Sequence, residues 1–158
     1  MRFEEVMQPE NIDVTNRAFS SKGEAFLHMA AMLERSGSVL NSDAFLEALY
    51  HRETLGSTYM GECLAVPHGK SEVVERVSAA LCRCEPFGYE SCGETGKVSM
   101  IIMLAIPLTT ERTEYLRTLS NLSRILMRQD FRNVIQNSAD PVEIIAAGNS
   151  AIDSLNAQ

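Results

Sequence analysis

From Val98 to Ile106 the chain reads VSMIIMLAI, apolar almost without interruption. A strand with one wet face alternates polar and apolar residues, so a run of this kind points to a strand buried on both faces. Such a strand needs cover above and below, which confines the fold to a sheet between layers of helix.

The rest of the chain supplies that cover. Ser21 to Arg35 places Ala25, Phe26, Met29, Met32 and Leu33 at helical spacing, and Gly37 ends the helix. Ser42 is expected to cap a second helix with apolar positions Phe45, Leu46, Leu49 and Leu55, closed by Gly56. An edge strand is expected near Ile12 to Val14, and further strands at Glu62 to Val66 and Val77 to Cys84. Between Cys84 and Val98, EPFGYESCGETG is dominated by turn formers and reads as a flexible loop. From Thr110 the helical period returns, with Leu116, Leu119, Leu122, Ile125 and Leu126 forming a stripe through Met127. Asp130 to Asn137 reads as a short helix, and Asp140, Pro141 and Glu143 open a last helix of about ten residues. The predicted fold class is α/β: one sandwich domain over residues 1–158, core about 10–150, in which helices flank both faces of a small mixed, mostly parallel sheet.

Length and charge narrow the function. A chain of 158 residues that is 45% hydrophobic fits one core, and a formal net charge of -7 repels nucleic acid and anionic membrane while steering in a basic protein. No apolar run is long enough to span a bilayer and no leader pattern opens the chain, so a cytoplasmic location without membrane insertion is expected. Cys82 and Cys84 stand two apart in a strand, which is not a metal-knuckle or redox spacing. A metal would need Cys82, Cys84, Cys92 and a histidine to converge, and the simpler reading is reduced, half-buried thiols.

The chemistry gathers at LAVPHGK, residues 64–70. Pro67 fixes its own φ and biases Val66 to extended geometry, so His68 stands where a strand ends, the place where ligands bind in open α/β sheets. Gly69 is expected to permit a sharp turn and to leave room beside the imidazole, presenting the ring without burying it. A neutral imidazole can act as base, ligand or nucleophile, or simply as a hydrogen-bonded turn residue. Base catalysis lacks a G-x-S-x-G or comparable partner, and metal binding lacks nearby ligands, since His28 and His51 stand in two other helices. Nucleophilic attack asks for the fewest coincidences. Arg52, at the end of the second helix, is either a solvated helix-end charge or the planar cation that recognises phosphate.

Arg52-Glu53, Thr58, Gly61 and Ala65-Val66-Pro67-His68-Gly69 lie in the order and spacing of a known family. The chain resembles the fructose/mannitol-type enzyme IIA domain of the bacterial phosphoenolpyruvate-dependent sugar phosphotransferase system. The resemblance runs over about residues 10–150 and includes the strand end Leu104 to Pro107. It implies a phosphoryl relay without metal or cofactor. His68 would accept phosphate on Nε2 from the histidine-containing phosphocarrier protein and pass it to a cysteine of a cognate IIB domain for sugar or sugar-alcohol uptake. Nδ1 would carry the proton and Arg52 would stabilise the phosphate; Thr58 either braces the loop through its hydroxyl or makes a plain helix-exit contact, and Glu53 is expected to pair with a basic neighbour and not to touch the phosphate.

One position departs from the pattern. Where the family has a second histidine, ahead of the leucine stripe, ERTEYLRTLSNL has Tyr115, which donates a hydrogen bond but carries no positive charge near neutral pH. The alternative function is a regulatory module in which phosphorylated His68 changes affinity for another protein without sugar transfer. A metal-dependent hydrolase built on His68 and cysteines is a third reading. Docking is expected on an apolar surface around His68 rimmed with acid, which would suit a basic partner.

Overall fold

A computed structural model of the chain describes residues 2–157. In chain order the elements are α1 (Phe3–Val6), β1 (Met7–Arg17), α2 (Lys22–Arg35), α3 (Ser42–Glu53), β2 (Tyr59–Gly61), β3 (Leu64–Ala65), β4 (His68–Ser71), β5 (Ser78–Ser91), β6 (Glu94–Pro107), α4 (Arg112–Leu126), α5 (Gln129–Asn137) and α6 (Pro141–Asn156). The strands form one mixed sheet in the order β1-β5-β6-β3-β2, with β4 also paired to β6. Three of its five ladders are parallel, and the long β5–β6 hairpin is antiparallel.

β6 is the strand that the apolar run required. Ile101, Met103 and Ala105 face a core built with α2 and α3, while Met100, Ile102, Leu104 and Ile106 face a second core built with α4, α5 and α6. Side chains alternate across a strand, so an almost continuous apolar run feeds both cores at once. Among the described residues no helix is long and apolar enough to cross a membrane.

The clearest difference from the sequence reading is EPFGYESCGETG, which is the end of a hairpin and not a flexible loop. Phe87, Tyr89 and Ser91 alternate inward along β5, and Ser91 pairs with Glu94 across the two-residue turn Cys92–Gly93. Both turn residues have positive φ, 51° and 88°, the type I′ geometry whose twist matches paired strands. Turn-forming composition masked a period of two.

Smaller differences follow the same logic. Asn41, not Ser42, caps α3, its side chain accepting from the Ala44 N–H. The expected strand at Glu62 to Val66 is interrupted: Glu62 and Cys63 adopt φ of 53° and 62°, turning β2 back onto β3. α6 runs 16 residues, because Ile144, Ala151 and Ile152 continue its buried face well beyond the predicted end. In α4 the buried stripe is Thr118, Leu122, Ile125 and Leu126, whereas Leu116 and Met127 face outward.

Candidate active site

His68 opens β4 just beyond a break in the sheet. β3 and β4 meet β6 in one register, Leu64 opposite Met100 and His68 opposite Leu104, so they are a single strand interrupted at Val66–Pro67. Pro67 has no N–H to add to the ladder, although its carbonyl still accepts from Leu104 N at 2.9 Å. Val66 N turns to the Thr58 carbonyl at 2.9 Å, and the Val66 carbonyl lies 3.0 Å from Nδ1 of His68.

The other ring nitrogen meets Arg52. Its Nε donates to Nε2 of His68 at 3.0 Å, and its Nη1 donates to the Gly56 carbonyl at 2.9 Å. A guanidinium can only donate, so Nε2 is the accepting nitrogen, and Nδ1 carries the proton and donates to Val66. Burial holds the pKa of His68 below its ordinary value, and the adjacent Arg52 charge acts in the same direction. The Val66 hydrogen bond and Glu53 oppose them. The ring is therefore neutral at neutral pH, with one nitrogen fixed as the lone-pair donor.

Two expectations for this loop are corrected. His68 is only 6% exposed, so its neighbours bury the residue. Gly69 does not make a sharp turn; it lies within β4, where an added Cβ would come within 3.1 Å of Leu49 N and 3.3 Å of the Ala48 carbonyl carbon. Its missing side chain lets β4 lie directly against the backbone of α3. That close approach brings Arg52, at the end of α3, within reach of His68.

Behind Arg52 lies a buried polar cluster. Glu53 accepts from the Thr58 hydroxyl at 2.5 Å, from the Ser91 hydroxyl at 2.5 Å and from Lys22 Nζ at 3.2 Å. Thr58 spends its hydrogen on Glu53, so the Tyr89 hydroxyl, 2.7 Å away, donates to Thr58. Thr58 N also donates to Ser91 at 2.9 Å. The loop after α3 is thus fastened to the β5–β6 hairpin, and Glu53 pairs with a basic neighbour as expected.

Beside the ring, which is not itself part of the lining, is a cleft of about 380 Å³ lined by Ala48, His51, Arg52, Leu55, Gly69, Lys70, Arg112, Tyr115 and Leu116. Leu55, expected on the buried face of the second helix, lies past the helix end at 68% exposure and forms part of the cleft wall. The lining carries cations and no carboxylate, so the cleft itself is apolar and basic. Tyr115 from α4 stands edge-on to His68 with ring centres 6.0 Å apart. Burial raises its phenol pKa, which the Arg52 charge opposes, and the hydroxyl stays protonated.

The pattern common to "Phosphoenolpyruvate-dependent sugar phosphotransferase system, EIIA 2" matches residues 5–149. The chain belongs to this family. Domains of the EIIA 2 family are phosphotransferase components that carry phosphate as phosphohistidine. This EIIA domain is 34% identical to the "PTS system 2-O-alpha-mannosyl-D-glycerate-specific EIIABC component" of Escherichia coli (strain K12), over 84% of the chain and 20% of that relative. It thus spans about a fifth of that curated relative's length. The crystal structure of Nitrogen Regulatory Protein IIA-Ntr from Neisseria meningitidis superposes with a TM-score of 0.79 at 30% identity, over 91% of this chain and 97% of that one. IIA mannitol from Escherichia coli superposes with a TM-score of 0.69 at 25% identity, over 88% and 96% of the two chains.

Within this EIIA domain, His68, Arg52 and Tyr115 come together, while His51 lines the outer cleft. His28 is elsewhere: its Nε2 lies 2.8 Å from Asp13, in a cluster that includes Cys82. Both oxygens of Asp13 are engaged, by Thr15, Arg17 and His28. Cys82 and Cys84 are buried, not half-buried, and burial pushes their thiols up to about 12 and about 11. Cys92, at the hairpin tip, is exposed and does not converge with them. The Glu53 cluster escaped the sequence reading because Lys22, Tyr89 and Ser91 are distant in the chain. Lys70 escaped although the alternation of β4 puts it on the same side as His68.

Proposed function

We propose that this EIIA domain is a phosphoryl carrier in which His68 Nε2 is the nucleophile, Arg52 the phosphate-stabilising cation and Tyr115 a neutral wall of the site. The supporting observation is the paired contact of the imidazole, with Nδ1–H on the Val66 carbonyl and the Nε2 lone pair facing Arg52. A phosphorylated histidine of the phosphocarrier protein is the donor. As its N–P bond breaks, the electron pair returns to the donor imidazole and a new N–P bond forms at Nε2. The positive charge that develops on the His68 ring is stabilised by the Nδ1–H bond to Val66. Arg52 leaves the lone pair and turns its N–H groups onto the phosphoryl oxygens, supplying charge where the transition state needs it. The onward step is the reverse, with a IIB cysteine thiolate attacking phosphorus and the ring recovering its electron pair.

Incubation with phosphoenolpyruvate, enzyme I and the phosphocarrier protein should add one phosphoryl group, and His68→Ala should remove that gain. An unshifted wild-type mass would sink the proposal. The likeness to the IIA-Ntr protein supports a second reading, a regulatory module that senses phosphorylation. Capture with phosphorylated and unphosphorylated protein separates the two: a IIB-containing permease marks transport, and a kinase or transcription factor marks regulation.

A further inference from the structure

A phosphoryl group on His68 carries about two negative charges, as phosphate monoesters do. Arg52 brings one positive charge to it, and Tyr115, protonated, brings none. The Nδ1-protonated ring of phosphorylated His68 carries a second positive charge, so the shortfall is in donors: Nη1 of Arg52 is held by the Gly56 carbonyl, and three phosphoryl oxygens call for a further N–H.

The adjacent strand residues supply one. β4 is extended, so His68 and Lys70 emerge on one side while Gly69 turns to α3. Lys70 Nζ lies 5.7 Å from the centre of the Tyr115 ring, whose other neighbour, 6.0 Å away, is His68. The ring therefore has imidazole on one flank and ammonium on another, and the quadrupole of its face holds the cation there. One Nζ–H bonds the Thr110 carbonyl at 2.8 Å, leaving two hydrogens of the ammonium for other acceptors. The charged or titratable groups of the cleft are His51 and Arg52 from α3, Lys70 from β4, and Arg112 and Tyr115 from α4. Arg112 is exposed on the first turn of α4, where water screens its charge, whereas Lys70 is partly buried and tethered.

We propose that Lys70 is the second cation of the phosphoryl site, binding the oxygens of the transferring group and of phosphorylated His68 opposite Arg52. The inference rests on His68 being the acceptor. It makes Lys70 a catalytic residue and gives Tyr115 a use, as the surface that stations the ammonium.

Phosphoramidate, a small N–P donor that gives up ammonia as the bond to Nε2 forms, tests the chemistry without protein docking. Wild type should be labelled on His68, and His68→Ala should not. Lys70→Met should be labelled about tenfold to a hundredfold more slowly with an unchanged melting temperature, and Lys70→Arg should retain most of the rate. Adding Tyr115→His to Lys70→Met should restore the rate at about pH 6, where the new imidazole is charged, and not at about pH 8. A merely structural lysine would show no such pH-dependent rescue. In the wild type, phosphorylation should also protect Lys70 from acylation, a readout that needs no variant. Labelled wild type with equally fast Lys70→Met, or equal acylation of both forms, would overturn the role of Lys70 and leave that of His68 standing. Wild type without label on His68 would overturn both.

Discussion

Nε of Arg52 rests 3.0 Å from Nε2 of His68, so the strongest donor of the cleft sits on the lone pair that would attack phosphorus. The contact disfavours protonation of the ring and stations the guanidinium where, in the proposed transfer, phosphate oxygens would arrive. These two effects can be separated by experiment.

Arg52→Ala should slow phosphorylation of His68 about a hundredfold, the usual consequence of losing one preorganised charged donor. The same substitution should raise the titration midpoint of His68, because a neighbouring cation that lowers it is gone. Rates from stopped transfer reactions and the midpoint from NMR titration check the two effects; wild-type values for both would remove Arg52 from the site.

The pH dependence has a definite sign. His68 has a folded pKa below its ordinary value of 6.5, so on acidification the unfolded chain takes up its proton first. The contribution of this group to stability is complete above about pH 6.5 and declines from there down to the folded pKa, below which it changes no further. Urea titrations across that window should show the decline, and His68→Gln should flatten it. An NMR midpoint for His68 above 6.5 would contradict the argument.

Glu53 is the hub of the buried cluster, and Glu53→Ala takes the acceptor from the hydroxyls of Thr58 and Ser91 and leaves Lys22 only the Glu90 carbonyl among its hydrogen-bond partners. The cost should be about 3 kcal/mol, roughly 6–12 °C in melting temperature for a chain of this length. A calorimetric shift below about 2 °C would mean that the cluster carries little of the stability.

Gly69→Ala puts a methyl group against Leu49 N and the Ala48 carbonyl carbon, so α3 must move away from β4. Overpacking of this kind costs about 1–3 kcal/mol, and the displaced helix should take Arg52 out of range, slowing transfer as well. Gly88→Ala, with no atom within 4 Å of an added Cβ, is the matched control and should stay within about 0.5 kcal/mol.

What could be read from the sequence was what short-range rules govern. The run into β6 announced a doubly covered strand, helical spacing announced α2, and the motif around His68 announced the family. The hairpin at residues 84–98 was hidden because Gly, Pro and Ser signal turns, and the signal outweighed the alternation of Phe87, Tyr89 and Ser91. Gly69 was misread because its environment is the backbone of a helix about twenty residues upstream, and no local pattern encodes a neighbour at that distance. The Glu53 cluster joins α2, α3 and the hairpin, so only the folded chain assembles it.

The interruption at Val66–Pro67 has a chemical consequence as well as a geometric one. In water the two nitrogens of a histidine compete, and phosphorylation gives positional isomers. Here a main-chain oxygen two residues upstream ties up one nitrogen, so on the proposed chemistry the defect in the ladder would select the isomer. Restoring an N–H at that point, as in Pro67→Ala, should therefore register in the phosphorus NMR spectrum as a mixture of the two phosphohistidines and not simply as a slower reaction. The regiochemistry of the proposed transfer would then be written in the backbone.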